Sequence, residues 1–189
     1  MKILILPDQI NQYKNFVEVL CEKANSDKSI TFIESTGDTR LLYREVYNKA
    51  LRILGALQSL GIKQGNELVF QFTGNSNFVS AFWACLLGGI IPVPITVPNN
   101  AKNVHKIINV WKVLNNPFLI TTESDFLTLR NYVAKEALES EFAELEGKTV
   151  FFERIENNTN NGVINTPEEN DIALIQFSSG STSTPKGMF

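Results

Sequence analysis

From Gly65 onward, short apolar runs alternate with longer amphipathic stretches, and that rhythm leaves few folds open. Residues 67–72, 90–95, 118–121 and 149–152 read as strands. Between them, Asn75 or Ser76 can cap a helix whose buried side includes Phe78, Phe82, Leu86 and Leu87. Residues 101–114 form a second amphipathic helix through Val104, Ile107, Ile108, Trp111 and Leu114, and residues 124–146 are largely helical. Strands separated by helices of this length predict βαβ units. The fold class is therefore α/β, a mainly parallel sheet flanked by helices. Pro92 and Pro94 predict that the second strand leaves the sheet early.

Upstream, residues 9–24 carry helical spacing at Tyr13, Phe16, Val17, Leu20 and Ala24. Two short strands, 30–33 and 40–42, flank a turn at Thr36-Gly37-Asp38. A strong amphipathic helix then runs over 43–60, burying Val46, Ala50, Ile53, Leu54 and Leu57 and ending at Gly61. Downstream, residues 153–170 break the rhythm with Asn157, Asn158, Asn160, Asn161, Gly162, Asn165 and Pro167, which predicts a polar connector loop. A last strand, 171–177, then enters a loop rich in hydroxyls.

Composition removes several functional classes. The 189 residues include thirteen Phe and are 43% hydrophobic, which excludes a disordered or collagen-like chain. A net charge of −3 and a pI near 5.3 argue against nucleic acid as a partner. The start, Met1-Lys2-Ile3-Leu4-Ile5-Leu6-Pro7, is too short for a secretory signal. The longest apolar stretch, 81–95, is interrupted by Gly88, Gly89, Pro92 and Pro94 and is too short to span a bilayer. Cys21 and Cys85 lie within apolar helical patterns and read as buried, reduced thiols, so a cytoplasmic location is expected. The Asn157-Asn158-Thr159 sequon has no meaning without secretion.

The 171–187 strand and loop carry the sharpest chemistry. A loop leaving a buried strand emerges at the carboxyl edge of an α/β sheet, where such folds bind ligands. Gly180 and Gly187 let the backbone turn its amides toward an anion. Ser178, Ser179, Ser181, Thr182, Ser183 and Thr184 supply hydroxyl donors, Lys186 supplies a cation, and Pro185 stiffens the chain before it. The parts describe a polyphosphate cradle. A flexible Ser/Thr/Gly linker shares this composition but rarely follows an apolar strand directly. A Walker-type loop fails on spacing, because Gly180 is followed four residues later by Pro185-Lys186-Gly187 rather than Gly-Lys-Ser/Thr.

The segment Ile175-Gln176-Phe177-Ser178-Ser179-Gly180-Ser181-Thr182-Ser183-Thr184-Pro185-Lys186-Gly187 resembles the phosphate-binding motif of the adenylate-forming enzymes. That superfamily includes acyl-CoA ligases, fatty acyl-AMP ligases, luciferases and nonribosomal peptide synthetase adenylation domains. It usually has Tyr-Thr where this chain has Phe177-Ser178, and often Gly at Ser183. Residues 39–65 and 68–98 are similar to the early elements of the same family. Phe82-Trp83-Ala84-Cys85-Leu86-Leu87-Gly88-Gly89-Ile90-Ile91-Pro92-Val93-Pro94 is similar to the fatty acyl-AMP ligase branch.

The resemblance implies a ligase that uses ATP and Mg²⁺ to activate a carboxylic acid, fatty or otherwise hydrophobic, as an acyl-adenylate. The acyl group then passes to a thiol of coenzyme A or of a carrier-protein phosphopantetheine. It implies phosphate contacts from Ser181, Thr182 and Lys186, a magnesium role for Thr182, and shaping roles for Gly180 and Gly187. It also implies that residues 1–189 are the N-terminal portion of a larger adenylate-forming domain, with the catalytic residues beyond Phe189. Such a piece is expected to be inactive alone and to self-associate through an uncovered apolar surface. An amino-acid-activating adenylation domain is the nearest rival, and a non-catalytic nucleotide- or partner-binding module is the rival of another class.

The remaining polar residues read as ordinary. His105 is the only histidine and has a surface-helix pattern, and no Cys or His spacing suggests zinc. Glu136, Glu139, Glu141, Glu144 and Glu146 fit a solvated helix face, while Trp83 and Trp111 fit the core.

Overall fold

The computed structural model describes residues 13–33, 37–178 and 186–188. Helix α1 (Phe16–Ala24) starts where Asn15 caps it, its Oδ1 accepting from the Glu18 amide at 2.9 Å. It therefore begins later than the apolar spacing predicts, and residues 9–12 of that reading lie outside the described residues. Strands β1 (Ser29–Phe32) and β2 (Thr39–Leu42) pair antiparallel, with Ser29 opposite Leu42. Helix α2 (Tyr43–Ser59) follows directly, and the Glu45 carboxylate accepts the Leu42 amide at 2.7 Å at its start. Gly61, at φ +85°, then turns the chain.

Four strands form the central sheet: β3 (Glu67–Gln71), β4 (Ile91–Pro94), β5 (Phe118–Thr121) and β6 (Thr149–Phe151), in the order β4-β3-β5-β6. Every pair is parallel. The crossovers are α3 (Asn75–Gly88), α4 (Ala101–Val113), and the pair α5 (Glu123–Lys135) and α6 (Glu139–Gly147). Ala137, at φ +53°, breaks the stretch expected to be largely helical into those two helices. A short helix, α7 (Phe152–Ile155), follows β6 directly.

Strand alternation divides the core between the two faces. Leu68 and Phe70 join Leu54, Leu57, Ala84 and Phe152 on the α2–α3 side. Val69 joins Val93, Ile107, Leu119, Leu129 and Phe142 on the side of α4, α5 and α6.

Helix α3 departs from its sequence reading in two respects. Neither Asn75 nor Ser76 caps it; Gly74 occupies the cap position without a side-chain bond. Its buried residues are Ser80, Ala81, Ala84, Cys85, Leu86, Leu87 and Gly88, so Leu86 and Leu87 are buried as expected, but Phe78 and Phe82 are only half-buried. The cause is close packing on α2, where a Cβ on Gly88 would collide with the Leu54 side chain. Small residues admit that approach, and the two rings stack beside it with centroids 6.0 Å apart.

Pro92 and Pro94 remain within β4 because of which way their backbones face. Ile91 N donates to Asn66 O and Ile95 N to Phe70 O, so the odd residues address β3. The prolines fall on the alternate, free edge, where a missing N–H costs no ladder bond.

After α7 the chain crosses back over α2 and α3. Asn158 Nδ2 donates to Arg52 O at 2.9 Å, and Gly162 N donates to Leu51 O at 2.8 Å. The Gln58 amide brackets Val163, accepting its N–H and donating to its carbonyl, both at 2.8 Å. Asn165 N reaches Leu87 O at 2.7 Å. A Cβ on Gly55 would strike the Asn160 carbonyl oxygen, so a glycine inside α2 admits this strap.

The strand expected at 171–177 is reduced to β7 (Gln176–Ser178), which pairs with β8 (Lys186–Met188) instead of joining the sheet. The proline edge explains the correction. Of the expected ladder only Ile175 N, donating to Pro92 O at 3.1 Å, is formed.

Candidate functional site

The β7–β8 pairing is antiparallel, with Phe177 opposite Gly187 and Ser178 opposite Lys186. The chain thus returns from the hydroxyl-rich loop as a strand, and Ser178 and Lys186 stand across from each other at its base. Residues across an antiparallel pair lie roughly 4.5–5.5 Å apart at Cα. Ser179, Gly180, Ser181, Thr182, Ser183 and Thr184, together with Pro185, lie outside the described residues. Gly187 is an extended strand residue whose Cβ position lies 3.4 Å from Ile175 and 3.5 Å from the Phe177 ring, both ordinary contacts.

Apolar packing sets the hairpin's position. Ile175 is buried and Phe177 packs in the same cluster as Val93. Ile172 and Ala173 share a cavity wall with Ile90 and Ile91, and Ile175 meets Pro92, so the chain advances along β4 in β4's own direction. That direction carries β7 toward the carboxyl end of the sheet, the end where α/β folds receive ligands. From Gln176 to Met188 the sequence contains one cation and no carboxylate, a charge set suited to a polyanion.

The carboxyl end of the central strands also holds a buried polar cluster. Asp125 is 4% exposed, and its carboxylate accepts both the Thr73 amide and the Thr73 hydroxyl at 3.0 Å. Thr122 caps α5, its hydroxyl accepting from the Asp125 amide at 3.0 Å. Gln71 is fully buried; its Nε2 donates to Thr96 O at 3.0 Å while its Oε1 has no partner among the described residues. These bonds tie the turns after β3, β4 and β5 to one another. Sequence patterning missed this cluster, although a lone Gln interrupting the apolar run Leu68-Val69-Phe70 was a signal.

The other titratable groups stay out of this site. Burial pushes the Cys85 thiol well above its ordinary range, which makes it inert. Cys21 is half-buried, not buried as its pattern predicts. His105 is exposed and lies 3.4 Å from Glu136. In α6, Phe142 and Leu145 are buried while Glu144 pairs with Lys148 at 2.8 Å on the solvent side. Trp111 is buried and Trp83 packs at the edge of the core. Among the described residues, no group of His, Cys, Asp and Glu could hold a metal ion, and no helix is long and apolar enough to cross a membrane.

Comparison with known proteins agrees with the α/β fold and its parallel sheet. The family model of the AMP-binding enzymes matches residues 20–189. A putative fatty-acid–CoA ligase, fadD25, of Mycobacterium tuberculosis is 24% identical over 179 residues, covering 90% of this chain and 30% of that protein. The solved structure of McyG A-PCP with phenylalanyl-adenylate superposes with a TM-score of 0.78 at 32% identity, covering 90% of this chain and 31% of that one. The fatty acyl-adenylate ligase of L. pneumophila, solved with acyl adenylate and pyrophosphate, gives a TM-score of 0.76 at 26% identity over 93% of this chain and 30% of that one. The chain therefore spans about 30% of the length of the relatives it matches. With a family model covering nearly all of it and a parallel sheet that superposes on theirs, the chain belongs to the AMP-binding enzymes of the adenylate-forming superfamily.

Proposed function

We propose that this chain is the phosphate-binding front portion of an ATP-dependent ligase that activates a fatty or other hydrophobic carboxylic acid. The single observation that carries this reading is the β7–β8 hairpin. It pairs Ser178 with Lys186 at the base of a loop without carboxylates. In the reaction a carboxylate oxygen bonds to the α-phosphorus of ATP, and the bond to the bridging oxygen breaks to release pyrophosphate. A thiolate of coenzyme A or of a carrier-protein phosphopantetheine then takes the acyl carbon, and AMP leaves.

Within that scheme the loop holds the β- and γ-phosphates. Ser181 and Thr182 donate to phosphate oxygens, and Thr182 would also help hold Mg²⁺, whose charge would offset that of the phosphates. Lys186 offsets charge building on the departing pyrophosphate. Ser178, Ser179, Ser183 and Thr184 supply further donors, and Gly180 and Gly187 shape the loop. The protein works in the cytoplasm.

ATP–pyrophosphate exchange tests the reading. Lys186→Ala in the complete enzyme should lower exchange by about 10²-fold, and unchanged exchange would overturn the assignment. The purified 189-residue chain should show no exchange. A second reading, an amino-acid- or keto-acid-activating adenylation domain, is favoured by the 32% identity to the structure holding phenylalanyl-adenylate. Exchange driven by phenylalanine or a keto acid, and not by a fatty acid, would select it.

A further inference from the structure

The strap over α2 contains the only Asn-Gly pair of the chain, Asn161-Gly162. In such a pair the backbone nitrogen of the second residue can attack the side chain of the first, because glycine places no Cβ beside the approaching amide. Gly162 N bonds to the side-chain carbonyl carbon of Asn161, and the bond from that carbon to the amide nitrogen breaks. The Gly162 proton ends, by way of solvent, on the leaving ammonia, and a succinimide remains. Water then opens either ring carbonyl and leaves aspartate or isoaspartate in place of Asn161. The reaction needs only water.

The fold sets when this reaction can run. Asn161 is exposed, so solvent reaches its amide. The nucleophile, however, is held. Gly162 N donates to Leu51 O at 2.8 Å, and a donor held to a carbonyl neither loses its proton nor turns toward Asn161. Gly162 is also wedged on α2, where a Cβ would collide with Leu54 and the Gly55 backbone. Its neighbours keep it there: Gln58 brackets Val163, and Asn158 Nδ2 donates to both Arg52 O and Asn160 O. Asn158 is itself followed by Thr159, whose branched side chain obstructs the same attack.

We infer that Asn161 is a self-modification site that the docked strap keeps closed, and that it reacts when the strap leaves α2. For the isoaspartate product the change is one-way. Isoaspartate carries the main chain through its own Cβ, which adds a backbone atom next to Gly162. That residue has no room for one more carbon, so the lengthened strap cannot regain its seat between Leu54 and Gly55. The inference is independent of the phosphate loop and of which acid is activated.

Peptide mapping by mass spectrometry, on the complete enzyme held at mildly alkaline pH, tests this against a synthetic peptide of residues 157–165. The free peptide should convert at Asn161 at least about tenfold faster than the folded protein. Gln58→Ala removes two strap bonds and should speed conversion in the folded enzyme about tenfold. Hydrogen exchange at Gly162 should rise by the same factor, because both processes need the Leu51 bond open. Gly55→Ala, which presses on the Asn160 carbonyl, should do the same through a different contact. The isolated isoaspartate form should lose protection at Gly162 and Val163 while β3 keeps its own. Conversion in the native enzyme as fast as in the peptide, or unchanged by both variants, would overturn the proposal, as would native protection in the isoaspartate form.

Discussion

Strands β3 to β6 are bonded edge to edge and covered by apolar side chains on both faces, whereas residues 156–178 cross the same body with few apolar anchors. In the sheet, Leu68, Val69 and Phe70 are buried in succession and register follows from the repeating ladder. In the strap, position is set by discrete polar attachments: Gly162 on Leu51, Val163 on Gln58, Asn165 on Leu87, Ile175 on Pro92. A packed core resists displacement through many weak contacts, and a pinned segment through a few bonds that can be removed singly. Strand β7, which leads to the proposed phosphate loop, belongs to the second region, held by one backbone bond to the sheet and the packing of Ile175 and Phe177.

Substitutions can sharpen or break that contrast. The largest effect is expected for Leu54→Ala, which empties a fully buried site between α2 and α3. It should cost about 2–5 kcal/mol in urea denaturation. Asp125→Ala leaves the Thr73 amide without its acceptor and should cost about 1–3 kcal/mol. Asp125→Asn retains one acceptor and should cost less.

Gly55→Ala separates the two regions more directly. Its methyl improves an isolated helix by about 1 kcal/mol but meets the Asn160 carbonyl, a backbone atom that cannot rotate away. Overpacking of about 1–3 kcal/mol outweighs or cancels that gain. Hydrogen exchange should quicken at Gly162 and Val163 while β3 and β5 keep their protection; uniform quickening would show that the strap and core are one unit. Gln58→Ala removes two bonds to Val163 and should cost about 0.5–1.5 kcal/mol for each, with the same local signature.

The smallest effect is electrostatic. Burial raises the Glu67 carboxyl above its ordinary range, against a smaller opposite pull from the Asn115 amide that it accepts. A carboxyl raised in the folded state binds more protons there, so its contribution favours folding at low pH and is lost as pH rises through the raised value. Glu67→Gln should therefore slightly stabilise the protein at neutral pH and lose that advantage below the ordinary carboxylate range. A pH series of thermal melts checks the sign.

Much of the first region was legible because its physics is local and periodic. Residues 118–121 formed a strand at the expected bounds, and Val46, Ala50, Ile53, Leu54 and Leu57 are all buried as α2's spacing predicts. Helix α3 was read less well, because its Phe residues dominate any hydrophobicity count. Gly88 decides the packed face, and a small residue has no periodic signature. The loop's chemistry was visible in residue types, but the return as β8 was not, since Lys186-Gly187-Met188 carries no strand pattern.

By itself, the sequence determined the α/β class, the parallel order implied by alternating elements, and a hydroxyl- and lysine-bearing loop suited to phosphate. These follow from side-chain periodicity and chemical type, properties that each segment carries alone. Only the tertiary structure decided that residues 171–174 stay outside the ladder and that Asp125 holds a turn 52 residues away. It also decided that Gly55 must leave room for Asn160. Each of those depends on which edge, donor or carbonyl another segment presents at close range, and no local pattern encodes the neighbour.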